Sequence, residues 1–137
     1  LFIISRAETE DATQKLKRAG ADRVISPYQI GGMQIAQTAL RPAVVDFVEL
    51  ATSADNIELA MEEITIAPKS PFSNLSIVDA NLRQRYGVIV IGIQRHDRRM
   101  QFNPEPDTRI ESGDKLVVLG RPDSLKRLET DAAEAKV

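Results

Sequence analysis

Three arginines and the single histidine of the chain lie within one short segment, Arg-His-Asp-Arg-Arg, from Arg95 to Arg99. Guanidinium groups gathered in one turn can bind a phosphate through paired hydrogen bonds, so Arg95, Arg98 and Arg99 are candidates for an anion site. The same composition is typical of a solvated charged turn, and the aspartate within it weakens the local positive field. Both interpretations stay open on the sequence alone.

Carboxylates are a second group that could bind a ligand. Oxygen-only clusters suit Ca²⁺ or Mg²⁺, although the spacing of an EF-hand loop is missing here. Solvated surface charge is the alternative interpretation. The residues concerned fall into two groups: Glu58, Glu62 and Glu63, and Asp46, Glu49 and Asp55.

The groups that nucleophilic catalysis and dinucleotide binding require are missing from the sequence. The chain has no cysteine, and His96, which a Ser–His–Asp site would need, lies on a predicted exposed turn. The one glycine pair, Gly31–Gly32, lies within a predicted helix and lacks the G-x-G-x-x-G spacing after a strand. We interpret the pair as a packing or bending site, and we predict that the protein is not an enzyme.

Composition narrows the classes of partner. The chain has 137 residues and a formal net charge of −2, so no global basic field would attract nucleic acid. No apolar run approaches the roughly 20 residues that a membrane span needs. The sequence starts at Leu1 inside a predicted strand, and we therefore expect it to be part of a longer polypeptide.

The first elements predict a parallel βαβ unit. Residues 1–5 form an apolar run that is typical of a strand buried on both faces. Thr9 is the expected N-cap of a helix that ends at Gly20, and a second short strand follows at Val24–Ile25. Two strands do not make a stable sheet alone, so further strands are expected from elsewhere.

Two helices are predicted next, over residues 28–40 and 43–51, and Pro42 should break the helix at Arg41. Their apolar residues form a face without an evident partner in the chain, which predicts dimerisation. The candidate interface and hinge residues are Ile30, Gly31, Gly32, Met33, Leu40, Pro42, Val44, Phe47 and Val48.

After a predicted polar linker at residues 52–56, alternating apolar residues indicate a strand that starts at Ile57. Its phase slips at Glu62–Glu63, which predicts a β-bulge or a break in pairing there. Ser76 and Asp79 have the spacing of a capping box, and they predict one helix that ends at Gly87. We expect Ile77, Val78 and Leu82 to be its core-facing residues.

The remaining elements are a central strand, a return strand, another buried strand and an amphipathic helix. The predicted order of this second part is therefore β-α-β-β-β-α. Its later elements are expected at residues 88–93, 100–102 and 116–119 and from Pro122 onward.

Several segments resemble proteins of the RCK family, which regulate potassium conductance. They are AGADRVISPYQIGG, LRPAVVDFVELA, the strand that carries Glu62–Glu63, and YGVIVIGIQR with FNPEPDTRIESGDKLVVLG. The pattern FNPxPxTxIxxGDxLxxxG, from Phe102 to Gly120, is fairly specific to the C-lobe of that family, the TrkA-C domain. The resemblance implies a mixed α/β (α+β) fold. Residues 1–27 would end a Rossmann-like N-lobe, residues 28–54 would form a helix–turn–helix crossover, and residues 55–137 would form the C-lobe.

The resemblance also implies a function. Such modules sense a ligand and control a potassium channel or a potassium transporter from the cytoplasmic side of the membrane, as homodimers or octameric rings attached to the membrane subunit. The motion is implied to pass through a hinge, for which Pro42 and the glycine pair are candidates. Two alternatives are a regulatory domain of a cation/proton or anion transporter and a fragment of a Rossmann-type dehydrogenase.

The ligands that the resemblance implies fall at different places. The NAD or ADP site of the family lies in a glycine-rich loop that this sequence does not contain. Some members bind Ca²⁺ near the junction of the lobes, where Asp22 matches an acidic position. Others bind cyclic di-AMP at a dimer interface, next to the helix end before the central strand, where Leu82 and Arg83 are the corresponding residues.

Overall fold

Residues 1–53 and 58–133 are described by a computed structural model, and they belong to two units, Leu1–Phe47 and Val48–Val137. Most of the predicted linker, together with Asp55 of the second carboxylate group and the predicted strand start at Ile57, lies outside the described ranges.

The first unit begins with the predicted βαβ arrangement. Strands β1 (Ile4–Arg6) and β2 (Arg23–Ile25) pair in parallel, and helix α1 (Glu10–Arg18) connects them. Thr9 caps the helix, since its Oγ1 accepts a hydrogen bond of 3.2 Å from the N–H of Ala12. The predicted unit and its cap are therefore confirmed.

The prediction that the first strand is buried on both faces is wrong. The apolar residues from Leu1 to Ile4 are all exposed, and Ile4 keeps 60% of its surface accessible. Strand β2 is the only neighbour of β1 among the described residues, and two strands cannot bury two faces.

Helix α2 (Pro27–Leu40) and helix α3 (Pro42–Thr52) follow. Arg41 between them has φ −144° and ψ 60°, outside the helical region. This break confirms the prediction made from Pro42, whose ring disfavours helical geometry at the residue before it. No residue of α2 is buried.

The second unit is a four-stranded antiparallel sheet with three helices. Its sheet order is β3-β6-β4-β5, and its elements follow the predicted β-α-β-β-β-α order except that two helices stand where one was predicted. The strands are β3 (Ala60–Thr65), β4 (Ile89–Gln94), β5 (Met100–Phe102) and β6 (Lys115–Gly120), and the helices are α4 (Ile77–Ala80), α5 (Leu82–Tyr86) and α6 (Pro122–Ala133).

One apolar core lies within this second unit. It combines alternate residues of the strands with one face of α6 and with residues of the segments between them. Its most completely buried members include Ile64, Ile66, Phe72, Val88, Ile93, Ile110, Leu116, Val118 and Leu128.

The predicted β-bulge at Glu62–Glu63 is wrong. Strand β3 pairs with β6 without interruption, and Glu63 forms an ion pair of 2.8 Å with Lys115 across the two strands. Because β3 is an edge strand, it tolerates exposed glutamates on either face. The register shifts instead in β4, between Val90 and Gly92, where the glycine inside the apolar run is itself a residue that often marks a bulge.

The single helix predicted up to Gly87 is divided in two. Asn81 adopts a left-handed conformation, φ 49°, between α4 and α5. The capping prediction is confirmed for Ser76, whose Oγ accepts a 3.1 Å hydrogen bond from the N–H of Asp79. The expectation that Val78 lies in the core is wrong: it is 60% exposed, and Ala80 is the residue of α4 that is buried.

The pattern from Phe102 to Gly120 has structural reasons. Gly113 has φ 86°, which favours glycine, and Asp114 beside it is buried. A methyl group placed on Gly120 would lie 2.8 Å from Cγ1 of Val88, so the two strands approach too closely there for a side chain. Gly113 and Asp114 thus shape the turn before β6, and Gly120 shapes the end of that strand.

Candidate functional site

A cleft of about 460 Å³ lies where α4, α5, the first half of β4 and the loop after β5 meet. Its wall is mostly apolar, with a few polar groups on one side. The lining residues that matter below are Val78, Asn81, Leu82, Arg83, Ile89, Pro104 and Pro106.

The loop that closes one side of the cleft is held by backbone hydrogen bonds. The N–H of Asn103 donates to the carbonyl of Ile91 at 2.8 Å, and Asn103 itself has φ 46°. Further along, the carbonyl of Pro106 accepts from the N–H of Val78 at 2.9 Å. The loop that carries the prolines is therefore hydrogen-bonded to α4 and to β4.

The apolar wall exists because β5 is short. It pairs with β4 only from Gly92 to Gln94, so within the described residues no strand borders the first residues of β4 on that side. As a result Ile89 is 51% exposed, and Val78, which also lines the cleft, is 60% exposed. Flat apolar groups of a ligand can pack on such a surface and remove it from water.

Arg83 supplies the charge. It is the only charged residue among the described residues that line the cleft, and it is exposed. Beside it, Nδ2 of Asn81 donates to Oε1 of Gln84 at 3.3 Å. A guanidinium at the edge of an apolar cleft suits an anion that carries flat rings, such as a nucleotide.

The structure brings the two sequence-predicted ligand residues into this one cleft. Leu82 is buried and belongs to the core, and only part of its side chain forms the floor, whereas Arg83 is free to face a ligand. Sequence reasoning missed the exposed apolar residues Val78 and Ile89 and treated the two prolines as an ordinary loop. The two prolines were a usable sequence signal of a rigid cleft wall, because proline stiffens this segment, which is hydrogen-bonded to helix α4.

Asp22, the candidate metal ligand, has a local structural partner. Its Oδ2 accepts a 2.7 Å hydrogen bond from the N–H of Ile3, and the carbonyl of Ile3 accepts from the N–H of Asp22 at 3.0 Å. The described residues contain no group of three or more side chains that could hold a metal ion. This donor set does not fit a Ca²⁺ site, and the metal role of Asp22 remains an untested prediction.

Arg95 and Arg99, in the turn after β4, form ion pairs with carboxylates of the second unit. Arg95 donates to the buried Asp114 at 2.5 Å and to the carbonyl of Arg109 at 3.0 Å. Arg99 donates its backbone N–H and its Nε to Asp97, and these hydrogen bonds lower the pKa of that carboxyl. The structure therefore favours a charged turn over an anion site, and His96 within it is exposed.

The candidate interface residues on α2 and α3 are exposed. Among them a methyl group placed on Gly31 or Gly32 would meet nothing within 4 Å. The glycine pair thus has no packing reason within the described chain. The exposed apolar members are Ile30, Met33, Leu40, Val44, Phe47 and Val48. No helix in the described ranges is long and apolar enough to cross a membrane.

The chain is similar in sequence to known proteins, and the family match lies within the second unit. The profile of the TrkA-C domain family matches residues 61–131. The chain is 33% identical over 133 residues to probable potassium channel protein 2 of Methanocaldococcus jannaschii, covering 94% of this chain and 38% of that protein. It is 30% identical over 116 residues to Ktr system potassium uptake protein A of Bacillus subtilis, covering 85% of this chain and 49% of that protein.

Among solved structures, the RCK C domain of the potassium transport protein KtrA in complex with cyclic diadenosine monophosphate is similar. The sequences are 29% identical, the TM-score is 0.54, and the match covers 65% of this chain and 95% of that domain. The chain thus spans about half or less of the potassium channel and uptake proteins that it matches, and nearly the whole of this single domain.

Proposed function

Because the chain belongs to the TrkA-C domain family, we propose that it is a ligand-sensing regulatory part of a potassium channel or potassium-uptake system, on the cytoplasmic side of the membrane. One observation carries the proposal: the cleft beside Arg83 lies in a domain similar to one solved in complex with cyclic di-AMP. The proposed role is regulatory, and the proposed chemistry is binding without bond cleavage.

The chemistry of the cleft suits cyclic di-AMP, which carries purine rings and negatively charged phosphodiesters. Val78 and Ile89 offer the exposed apolar surface for a ring, and Arg83 offers a charge-assisted hydrogen bond to a phosphate. Asn81 adds amide groups that can recognise a base or ribose. These residues are the proposed ligand contacts.

A homodimer is the proposed functional unit. The exposed apolar residues of α2 and α3 support it, since burying such side chains removes apolar surface from water. Phe47→Glu should weaken the dimer, whereas Thr38→Glu, on an exposed polar position of α2, should leave it intact. Light scattering across protein concentrations measures this, and an unchanged mass for Phe47→Glu would remove α3 from the interface.

Regulation requires that the ligand prefer one conformation. A ligand with equal affinity for two states shifts neither, and a change from 1:99 to 99:1 needs about a 10⁴-fold preference. We propose that ligand in the cleft selects one arrangement of the dimer and that this arrangement sets the potassium flux of the membrane subunit.

The direct test is calorimetric titration of cyclic di-AMP into the chain. Wild-type protein should bind, and Arg83→Ala should weaken binding by about tenfold or more through loss of a charge-assisted hydrogen bond. Arg18→Ala is the matched control, because Arg18 is an exposed arginine on α1 that is not among the residues lining the cleft. Equal affinity for wild type and Arg83→Ala would contradict the assigned contact, and no heat for wild type would contradict the assigned ligand.

The transported ion needs a separate test in liposomes that contain the complete transport system. Rubidium flux that changes with cyclic di-AMP, without a coupled proton flux, supports a potassium channel or uptake system. Proton-coupled flux would instead support the alternative, a regulatory domain of a cation/proton antiporter.

A further inference from the structure

We infer that Tyr86 and Asp131 are positioning residues for the cleft: their hydrogen bond fixes α5 on α6 and thereby holds Arg83 at the cleft edge. The inference rests on the proposed function for its ligand, although part of its test does not. Neither residue lines the cleft, so the pair would act through the helix that separates them from it.

The contact itself is close and largely enclosed. The hydroxyl of Tyr86 donates to Oδ2 of Asp131 at 2.5 Å, and Tyr86 is 6% exposed. The Tyr86 ring meets the ring of the buried Phe72 edge-on, with centroids 6.1 Å apart and planes at 77°. The phenol is thus held at its ring and at its hydroxyl.

Arg85 covers this pair from the solvent side. Its guanidinium carbon lies 5.4 Å from the centroid of Phe72 and 5.2 Å from that of Tyr86, and its Nη2 donates to the Tyr86 hydroxyl at 3.3 Å. Cation–π contact and the hydrogen bond both favour one rotation of α5. Together the four residues Phe72, Arg85, Tyr86 and Asp131 form what we call the Tyr86 anchor.

Helix α5 needs such an anchor because it is short. It has five residues, and its first residue follows Asn81, whose side chain makes no capping hydrogen bond. Helices of this length have little stability of their own, so tertiary contacts decide their position. At the cleft end the contact is Leu82 in the core, and at the other end it is the Tyr86 anchor.

The geometry of a helix then links the anchor to the cleft. Leu82 and Tyr86 are four residues apart and share the buried face, while Arg83 follows Leu82 by about 100° around the axis. A rotation of α5 that releases Tyr86 would also re-aim Arg83. The N–H groups of Arg85 and Gly87 donate to Asn81 and Arg83 carbonyls at 3.0 and 2.9 Å, so these amides report the state of α5.

Asp131 lies on helix α6, which packs against the core of the second unit. It belongs to the last turn of α6, where Leu128 and Ala132 are buried. The carbonyl of Ala132 accepts from the N–H of Ala67 at 3.3 Å, which ties the end of α6 to the segment after β3. The pair therefore joins a short helix to a long one that the core already fixes.

Amide hydrogen exchange on the whole chain tests the inference without any ligand. Tyr86→Phe keeps the ring and removes the hydroxyl, and Asp131→Ala removes the acceptor. Each should speed exchange of the Arg85 and Gly87 amides by about tenfold, the effect expected for one hydrogen bond to a charged group. Asp131→Asn keeps an acceptor and should restore most of the protection.

Two comparisons separate positioning from general stability. The amide chemical shift of Val118 in β6 should stay at its wild-type value in both variants, and Glu129→Ala, which removes an exposed carboxylate from the same helix, should change nothing. The double variant Tyr86→Phe/Asp131→Ala should match the single variants, because one interaction is lost in each. Chemical-shift changes at Val118 as large as those at Gly87, or no acceleration of exchange at Gly87, would overturn the inference.

The ligand arm uses cyclic di-AMP. Tyr86→Phe and Asp131→Ala should weaken its binding by about tenfold, Asp131→Asn should bind close to wild type, and Glu129→Ala should bind as wild type. Unchanged affinity in Tyr86→Phe would overturn the link from anchor to cleft. If wild-type protein binds no cyclic di-AMP, the proposed ligand is wrong. The exchange rates of the Arg85 and Gly87 amides still decide whether Tyr86 and Asp131 position α5.

Discussion

Arg95 and Asp114 form a largely buried ion pair that joins the turn after β4 to the start of β6. Nη1 of Arg95 lies 2.5 Å from Oδ2 of Asp114, whose side chain is 2% exposed. The same carboxylate oxygen accepts from the N–H of Glu111 at 2.8 Å. This pair gives a structural reason for the aspartate in the GD turn that the sequence pattern contains.

Replacing Asp114 should therefore destabilise the second unit. Asp114→Ala leaves the N–H of Glu111 and the Arg95 guanidinium without their acceptor, and loss of one partner of a buried pair costs roughly 3 kcal/mol. Asp123→Ala, at an exposed carboxylate paired with Arg121, should leave the stability close to that of wild type, because solvent screens a surface pair. Urea denaturation measures both, and a loss below about 1 kcal/mol in Asp114→Ala would contradict this role.

Gly120 should be intolerant of a side chain. A methyl group there would lie 2.8 Å from Cγ1 of the buried Val88, so Gly120→Ala forces a shift in a packed core and should cost about 1–3 kcal/mol. The second change Val88→Ala in the same protein should recover part of that loss, because it removes the group that collides. Thermal unfolding of the single and double variants checks this, and a Gly120→Ala protein as stable as wild type would refute the contact.

Alanine at Gly31 or at Gly32 should have opposite effects on the stability of the single chain and on the stability of the dimer. Within the chain a methyl group at either position meets nothing, so alanine should stabilise α2 by up to about 1 kcal/mol. If the other copy packs closely on the pair, the same substitutions should weaken dimerisation. Sedimentation and denaturation of Gly31→Ala and Gly32→Ala measure the two effects, and an unchanged dimer would remove the glycines from the interface.

The stability of the second unit should fall at alkaline pH because of Tyr86. Burial and then the hydrogen bond to Asp131 raise the pKa of Tyr86 above its ordinary value of 10.0, although the nearby Arg85 lowers it. A raised folded-state pKa gives stability that is complete below pH 10 and is lost as the pH rises through that pKa. Free energies of unfolding at about pH 8 and about pH 11 should show the advantage of wild type over Tyr86→Phe shrinking. A constant difference would contradict the assignment.

Local signals in the sequence predicted the elements whose cause is local. Thr9 caps α1, Pro42 ends α2 at the residue before it, and Ser76 caps α4, because each effect depends on atoms within four residues. The alternating and helical patterns were enough for the order of elements in the second unit. The resemblance to the family pointed to Arg83 as a ligand residue, and in the structure Arg83 lines a cleft.

The features that sequence reasoning missed depend on pairing between distant segments. The bulge lies in β4, where pairing with β6 and β5 fixes the register, and Gly92 is the only local signal of it in an otherwise apolar run. Ile89 is exposed because β5 stops early, which its own neighbours in sequence do not determine. The Tyr86–Asp131 contact spans 45 residues, and no spacing rule connects two such positions.

The proposed nucleotide ligand would occupy the cleft between α5 and the loop that contains Pro104 and Pro106. An NMR titration of cyclic di-AMP into the isotope-labelled chain can detect it there residue by residue. We expect shifts that saturate and concentrate at Val78, Arg83, Ile89 and the residues beside Pro104 and Pro106, with β3 and α1 unaffected. No saturable shifts, or shifts centred on α1 or on the Arg95–Arg99 turn, would contradict it.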